Sequence, residues 1–180
     1  MSSSRPTFEV RSTRVFPVPV ESAYAAWTEP SVVKQWWGPA GFTCPVADLD
    51  VRSGGVSLIA MRAPAEFGGA EMYNTWTYTL VDPPNRLEYE MRFSTADGRN
   101  ISPADAGIPG GVPDAVPHVV TFERLEDSHS QVSVTEYGYT DQGARDMSQA
   151  GLDECLDKLA RLFTEDNTEA RDGSNSTPAT

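Results

Sequence analysis

Between Gly143 and Phe163 the chain places apolar or small residues every three or four positions, and no other stretch restricts its fold as tightly. Met147, Gly151, Cys155 and Leu159 recur at intervals of four, with Leu152, Leu156 and Phe163 beside them, which makes a wide helical stripe. A helix of that length runs ~32 Å. The extended stretch from Met72 to Asp82 reaches ~36 Å, so a long helix laid across long strands is the expected core.

The strands are read from alternation. Phe8 to Phe16 is a weakly amphipathic first strand, ended by Pro17 and Pro19. Val20 to Trp27 and a second short segment carrying Val32, Val33, Trp36 and Trp37 are helices; Thr28 is a candidate cap for the second, Pro30 suits its first turn, and Gly38-Pro39 stops it. Val46–Val51 and Val56–Met61 form a hairpin across Gly54-Gly55. Met72, Asn74, Trp76, Tyr78 and Leu80 share one face of the next strand, and Leu87, Tyr89, Met91 and Phe93 one face of the strand after the Asp82-Pro83-Pro84-Asn85 turn. Val119–Leu125 and Gln131–Tyr139 make the last hairpin, and Asp141 caps the long helix. The stretch 95–117, rich in glycine and proline and without periodicity, reads as a floppy insertion rather than an ordered lid. Residues 1–6 and 166–180 read as disordered ends around one domain spanning 7–165.

At 180 residues, a single domain of this size buries roughly 70% of the surface of its unfolded chain without disulfide staples. Cys44 and Cys155 lack the spacing of zinc or redox pairs and read as free buried thiols in a reducing compartment. The 26 acidic and 14 basic residues give a net charge of −12 without any basic run, which disfavours nucleic acid and anionic membranes as partners. With neither an apolar leader nor a spanning stretch, a cytoplasmic protein is expected. Phosphate loops, dinucleotide glycines and serine-nucleophile motifs are missing, and two histidines are too few for a histidine-rich metal site, so no cofactor or metal is expected.

Sorting the strands by face collects an unusually bulky apolar set: Trp76, Tyr78, Tyr89, Met91, Phe93, Val120, Phe122 and Val134, ending at Glu136. Together with Met61, Trp36, Trp37, Met147, Gly151 and Cys155 these residues are the expected lining of a cavity between sheet and helix, a filled core being the alternative. Gly151 costs a helix ~1 kcal/mol relative to alanine, which points to close approach by a strand or by a bound molecule. Glu136 is either buried beside Val132 and Val134 or solvated at a rim. His118 lies on the face of Val120 and Phe122, where an acid or base would reach the cavity, although a lone histidine after such a loop also fits a surface position. His129 falls in a turn at the surface.

The segments Arg14-Val15-Phe16-Pro17-Val18-Pro19, Trp27-Thr28-Glu29-Pro30, Lys34-Gln35-Trp36-Trp37-Gly38-Pro39, Asp50-Val51-Arg52-Ser53-Gly54-Gly55 and Asp82-Pro83-Pro84-Asn85-Arg86-Leu87, in that order, resemble the bacterial branch of the heat-shock-protein ATPase-activator homologue family. That family lies within the START-like, or SRPBCC, superfamily. The resemblance implies an α+β helix-grip fold: a curved antiparallel sheet around the C-terminal helix, with two short helices after the first strand and a hydrophobic ligand cavity. Many relatives carry tryptophan where Leu152 stands here, and the 95–117 insertion is longer than usual, which implies a remodelled cavity mouth. Members include polyketide cyclase-like proteins, binders of natural products and a co-chaperone domain, and some pair as dimers, which leaves a homodimer open. The leading expectation is a protein that binds a small apolar or aromatic molecule without catalysis. The alternatives are a cyclase- or hydrolase-like enzyme using Glu136 or His118, and a chaperone-associated interaction domain with an exposed apolar sheet face.

Overall fold

Strict alternation with polar outer positions predicts strands that bury one face, and seven of them join into one sheet. The structure, a computed structural model, describes residues 4–173. Its elements in chain order are β1 (Phe8–Phe16), α1 (Val20–Thr28), α2 (Pro30–Trp36), β2 (Thr43–Asp48), β3 (Val56–Arg62), β4 (Glu71–Asp82), β5 (Arg86–Ser94), β6 (Val116–Glu126), β7 (His129–Tyr139) and α3 (Gln142–Gly173). The sheet order is β1-β7-β6-β5-β4-β3-β2, and every neighbouring pair is antiparallel. Register irregularities in β7 opposite Phe8–Val10 of β1, and in β2, β4 and β6, are where an extra residue bends a strand and lets the sheet curl. One of them, between Tyr78 and Leu80, turns Leu80 out to 36% exposure while Tyr78 stays buried, so Leu80 leaves the face that alternation assigned to it.

The helix α3 is held on both flanks. Towards β1, Arg145 Nε donates to the Glu9 carbonyl at 2.9 Å, Gln149 bonds both the N–H and the carbonyl of Arg11 at 3.1 Å, Ser12 bonds Asp153, and Arg14 meets Asp157 at 2.7 Å. These helix positions are spaced by four and so form one stripe. On the other flank, Lys158 Nζ donates to the carbonyls of Gly38 and Phe42 at 3.0 and 2.9 Å, and Glu154 accepts from the Ala40 N–H at 3.0 Å. Between the two flanks Leu152, Cys155, Leu156, Leu159 and Phe163 are buried. Asp141 caps the helix through the Ala144 N–H at 2.9 Å. No side chain caps α2, and Thr28 instead bonds back to the Tyr24 carbonyl.

The tail expected from residue 166 is helical as far as Gly173. Residues 166–173 contain no proline, and Asn167 Nδ2 donates to the Pro17 carbonyl at 2.8 Å, which ties this extra length to the body. The expected loose ends at 1–3 and 174–180 lie outside the described residues.

The insertion before β6 also differs from expectation. Its chain is bonded from Ile101 N–H to the Phe93 carbonyl at 2.9 Å, from Thr75 Oγ1 to Asn100 at 2.9 Å, and from Thr140 N–H to the Gly111 carbonyl at 2.9 Å. Gly111 has φ +103°, and a Cβ there would lie 2.4 Å from the Asp141 Cβ. Only glycine lets the loop pass so close to the start of α3.

Candidate functional site

Two short helices and the first turns of α3 close one end of the curved sheet unevenly. Trp27 and Trp36 fill the space beneath α1 and α2 with ring centroids 4.7 Å apart, and Phe122 meets Trp27 edge-on at 5.4 Å. Trp36 Nε1 donates to the Ala26 carbonyl at 2.8 Å. Next to this packed half lies a cavity of about 250 Å³, bounded by the sheet, by Trp37 and Pro39, by the loop residues Ile108, Pro109 and Val112, and by α3 from Ala144 to Cys155.

Of the expected lining, Trp37, Met61, Met91, Phe93, His118, Glu136, Met147, Gly151 and Cys155 border the cavity. Trp36, Trp76, Tyr78, Tyr89, Val120, Phe122 and Val134 do not; they are packed core. The reason is size and depth: Trp76 and Tyr89 stack at 4.7 Å and consume the space between them, and Tyr78 is fixed by a 2.8 Å bond to Ser57. The cavity occupies one end of the face, so face assignment alone cannot separate lining from core. Residues the sequence did not point to are Pro39, Met72, Asn74, Ile108, Pro109, Val112, Tyr139, Ala144, Ser148 and Leu152. A signal was available for one of them, since the chain has five methionines and Met61, Met72, Met91 and Met147, all but Met1, border the cavity. Flexible thioether side chains suit a wall that must adapt to its occupant.

His118 and Glu136 face each other across β6 and β7 and are both buried, so neither sits at the rim or surface. His118 Nε2 lies 2.9 Å from Glu136 Oε1, His118 Nδ1 lies 2.9 Å from the Val116 carbonyl, and Tyr139 donates its hydroxyl to Glu136 Oε2 at 3.0 Å. A carbonyl only accepts, so Nδ1 carries hydrogen. The remaining proton is held along the line between Nε2 and Oε1. Burial and the neighbouring Glu136 push the Tyr139 phenol well above its ordinary value, which keeps it a donor. The His118 ring stacks on Tyr89 at 4.9 Å. Both nitrogens are therefore engaged, and the imidazole positions Glu136 rather than offering a free base to the cavity.

Asn74 supplies a second polar group. Its Oδ1 accepts from Trp76 Nε1 at 2.9 Å, which settles the amide orientation and leaves Nδ2 as a donor on the cavity wall. Cys155 also borders the cavity, but burial pushes its thiol up to about 12, so it is not a nucleophile at neutral pH. Among the described residues no group of three or more histidine, cysteine, aspartate or glutamate side chains is arranged to hold a metal. No helix among them is long and apolar enough to cross a membrane.

Gly151 borders the cavity, and a Cβ added there would meet only Pro39 Cγ at 3.9 Å. Close packing is therefore not what the glycine serves. Gly151→Ala is expected to raise stability by up to ~1 kcal/mol through helix propensity, read as a melting temperature higher by ~2–4 °C. A fall in melting temperature would show that the helix backbone is approached more closely than this geometry allows.

Residues 17–164 match the model of the family described as "Activator of Hsp90 ATPase homolog 1-like protein". Among solved structures, a protein of Chromobacterium violaceum is similar at 26% identity and TM-score 0.69, over 86% of this chain and 96% of that one. The solution structure of a Staphylococcus epidermidis protein is similar at 25% identity and TM-score 0.70, over 92% and 95%. An AHSA1 protein of Silicibacter pomeroyi, at 20% identity and TM-score 0.70 over 88% and 99%, shares the fold. No curated protein matches the chain.

Proposed function

We propose, from the premise that the chain belongs to the Activator of Hsp90 ATPase homolog 1-like family, that the protein binds a small, largely apolar molecule between its sheet and α3. The observation that carries this reading is the cavity itself: about 250 Å³ walled by four methionines, Trp37, Phe93 and the loop residues Ile108, Pro109 and Val112. A wall of that composition gains free energy by removing apolar surface from water and accommodates variation in ligand shape. The loop supports the reading because its apolar residues close over the cavity rather than over the packed half of the core.

The His118–Glu136–Tyr139 network favours a second reading, proton transfer with Glu136 as the acting group. Binding is better supported, because His118 has no free nitrogen and Cys155 no accessible thiolate. The family name refers to the Hsp90 ATPase, and a chaperone-docking role finds less support: three of the exposed apolar residues on the strands sit beside polar partners, Val15 opposite Gln131, Val56 opposite Thr77 and Leu80 opposite Glu88.

Native mass spectrometry of the protein purified from its own host is the direct test. The expected result is a retained small molecule that is lost in Gly151→Phe, whose ring would project from α3 into the cavity. A protein that emerges at its bare chain mass, and whose variant behaves identically, would remove the proposal.

A further inference from the structure

The hydrogen-bonding character of the cavity is lopsided. None of the residues bordering it is lysine or arginine. The ionisable groups on the wall are His118, Glu136, Tyr139 and Cys155; burial keeps the phenol and the thiol neutral, and both nitrogens of His118 are taken, by Glu136 and by the Val116 carbonyl. Each oxygen of Glu136 has one protein donor, His118 on Oε1 and Tyr139 on Oε2. A carboxylate accepts about four hydrogen bonds, so acceptor capacity is left over on a group that borders the cavity. Against it stand neutral donors alone: the Asn74 amide, the Trp37 indole N–H, which has no partner, and the Ser148 hydroxyl, which already bonds Tyr139.

From this arrangement we infer that the cavity selects uncharged molecules carrying a hydroxyl or similar donor, which is delivered to Glu136, and rejects carboxylates. The inference rests on the binding function proposed above and narrows it to a ligand class. A carboxylate entering this space would shed its water without meeting an unpaired cation, since both nitrogens of His118 are already engaged by Glu136 and the Val116 carbonyl, and would approach the one carboxyl group already there. The Asn74 amide and Ser148 hydroxyl cannot neutralise it. A ligand hydroxyl, by contrast, finds a held acceptor whose position is fixed from both sides before binding, so little ordering is needed to form the bond. The apolar remainder of such a molecule lies against the methionines and Trp37.

Three probes of one shape test this by isothermal titration calorimetry at pH 7: 2-naphthol, 2-methoxynaphthalene and 2-naphthoate. A hydrogen bond to a charged acceptor corresponds to about 10- to 100-fold in affinity, so 2-naphthol is expected to bind tighter than its methyl ether by that factor, with 2-naphthoate weakest. In Glu136→Gln the gap between naphthol and ether narrows to a few-fold and naphthoate gains. The ranking in the unaltered protein decides the matter even if that variant does not fold. Equal affinities for naphthol and ether, or naphthoate binding as tightly as naphthol, would overturn the ligand class while leaving a cavity that binds. Failure of all three to bind would overturn the binding function and the inference with it.

Discussion

Replacing Trp36 by alanine is expected to lower the free energy of unfolding by about 3–5 kcal/mol, the range for removing a large aromatic side chain from a core. Trp36 is 0% exposed, lies 4.7 Å from Trp27 and 5.3 Å from Trp37 by ring centroid, and donates to the Ala26 carbonyl. It therefore joins α1 and α2 and supports the Trp37-Pro39 corner of the cavity. Domains have total stabilities of about 5–15 kcal/mol, so a substantial unfolded fraction is expected at 25 °C, read from urea melts followed by far-ultraviolet circular dichroism. Trp36→Phe separates the terms: it restores much of the apolar volume and leaves the Ala26 carbonyl without its donor, for a smaller loss of about 1–3 kcal/mol. A loss below 1 kcal/mol for the alanine variant would mean that the helix pair does not depend on this ring.

The helix and most strands were legible because their periods are long and uninterrupted. β1 was only weakly so, and the structure shows why: Ser12 and Arg14 occupy positions in step with the buried Val10 and Phe16, yet they reach Asp153 and Asp157 on α3. Polar residues on an inner face blur a period-two signal. The pairing of His118 with Glu136 was hidden by one irregularity. Counting back from the closing pair Glu126–His129 without a break would set His118 opposite Tyr137, and the register shift between Arg124 and Glu126 moves it to Glu136. The roof of the cavity was not legible at all, because Ile108, Pro109 and Val112 belong to a segment whose path is set by Gly111 against Asp141 rather than by any period. Gly151 pointed towards the cavity, but the sequence could not distinguish a strand pressed against it from open space.

Raising the pH above 9 is expected to destabilise the protein, by an amount that the buried thiols dominate at first. Burial pushes Cys155 from an ordinary value of 9.0 to about 12 and Cys44 from 9.0 to about 11. Below pH 9 both states hold these protons, and the full stability is present. Between pH 9 and the folded values the unfolded chain gives its thiol protons up while the native protein keeps them, so the unfolded state binds fewer protons and stability falls as pH rises. For Cys155 the loss is about 1.4 kcal/mol by pH 10 and tends towards ~4 kcal/mol above pH 12. Tyr78, pushed up to about 12 by burial, and Tyr89 and Tyr139, also raised, act in the same direction from pH 10. Lys158 acts in the opposite direction, since burial lowers it: the native protein releases that proton first, which favours folding as pH rises below the ordinary lysine value. Urea midpoints measured from pH 7 to 10.5 should therefore decline, and Cys155→Ala should flatten the decline between pH 9 and 10, where thiols titrate and phenols have barely begun. A variant whose midpoint falls as steeply as that of the unaltered protein would show that Cys155 ionises in the native state, and that the cavity wall it occupies admits water.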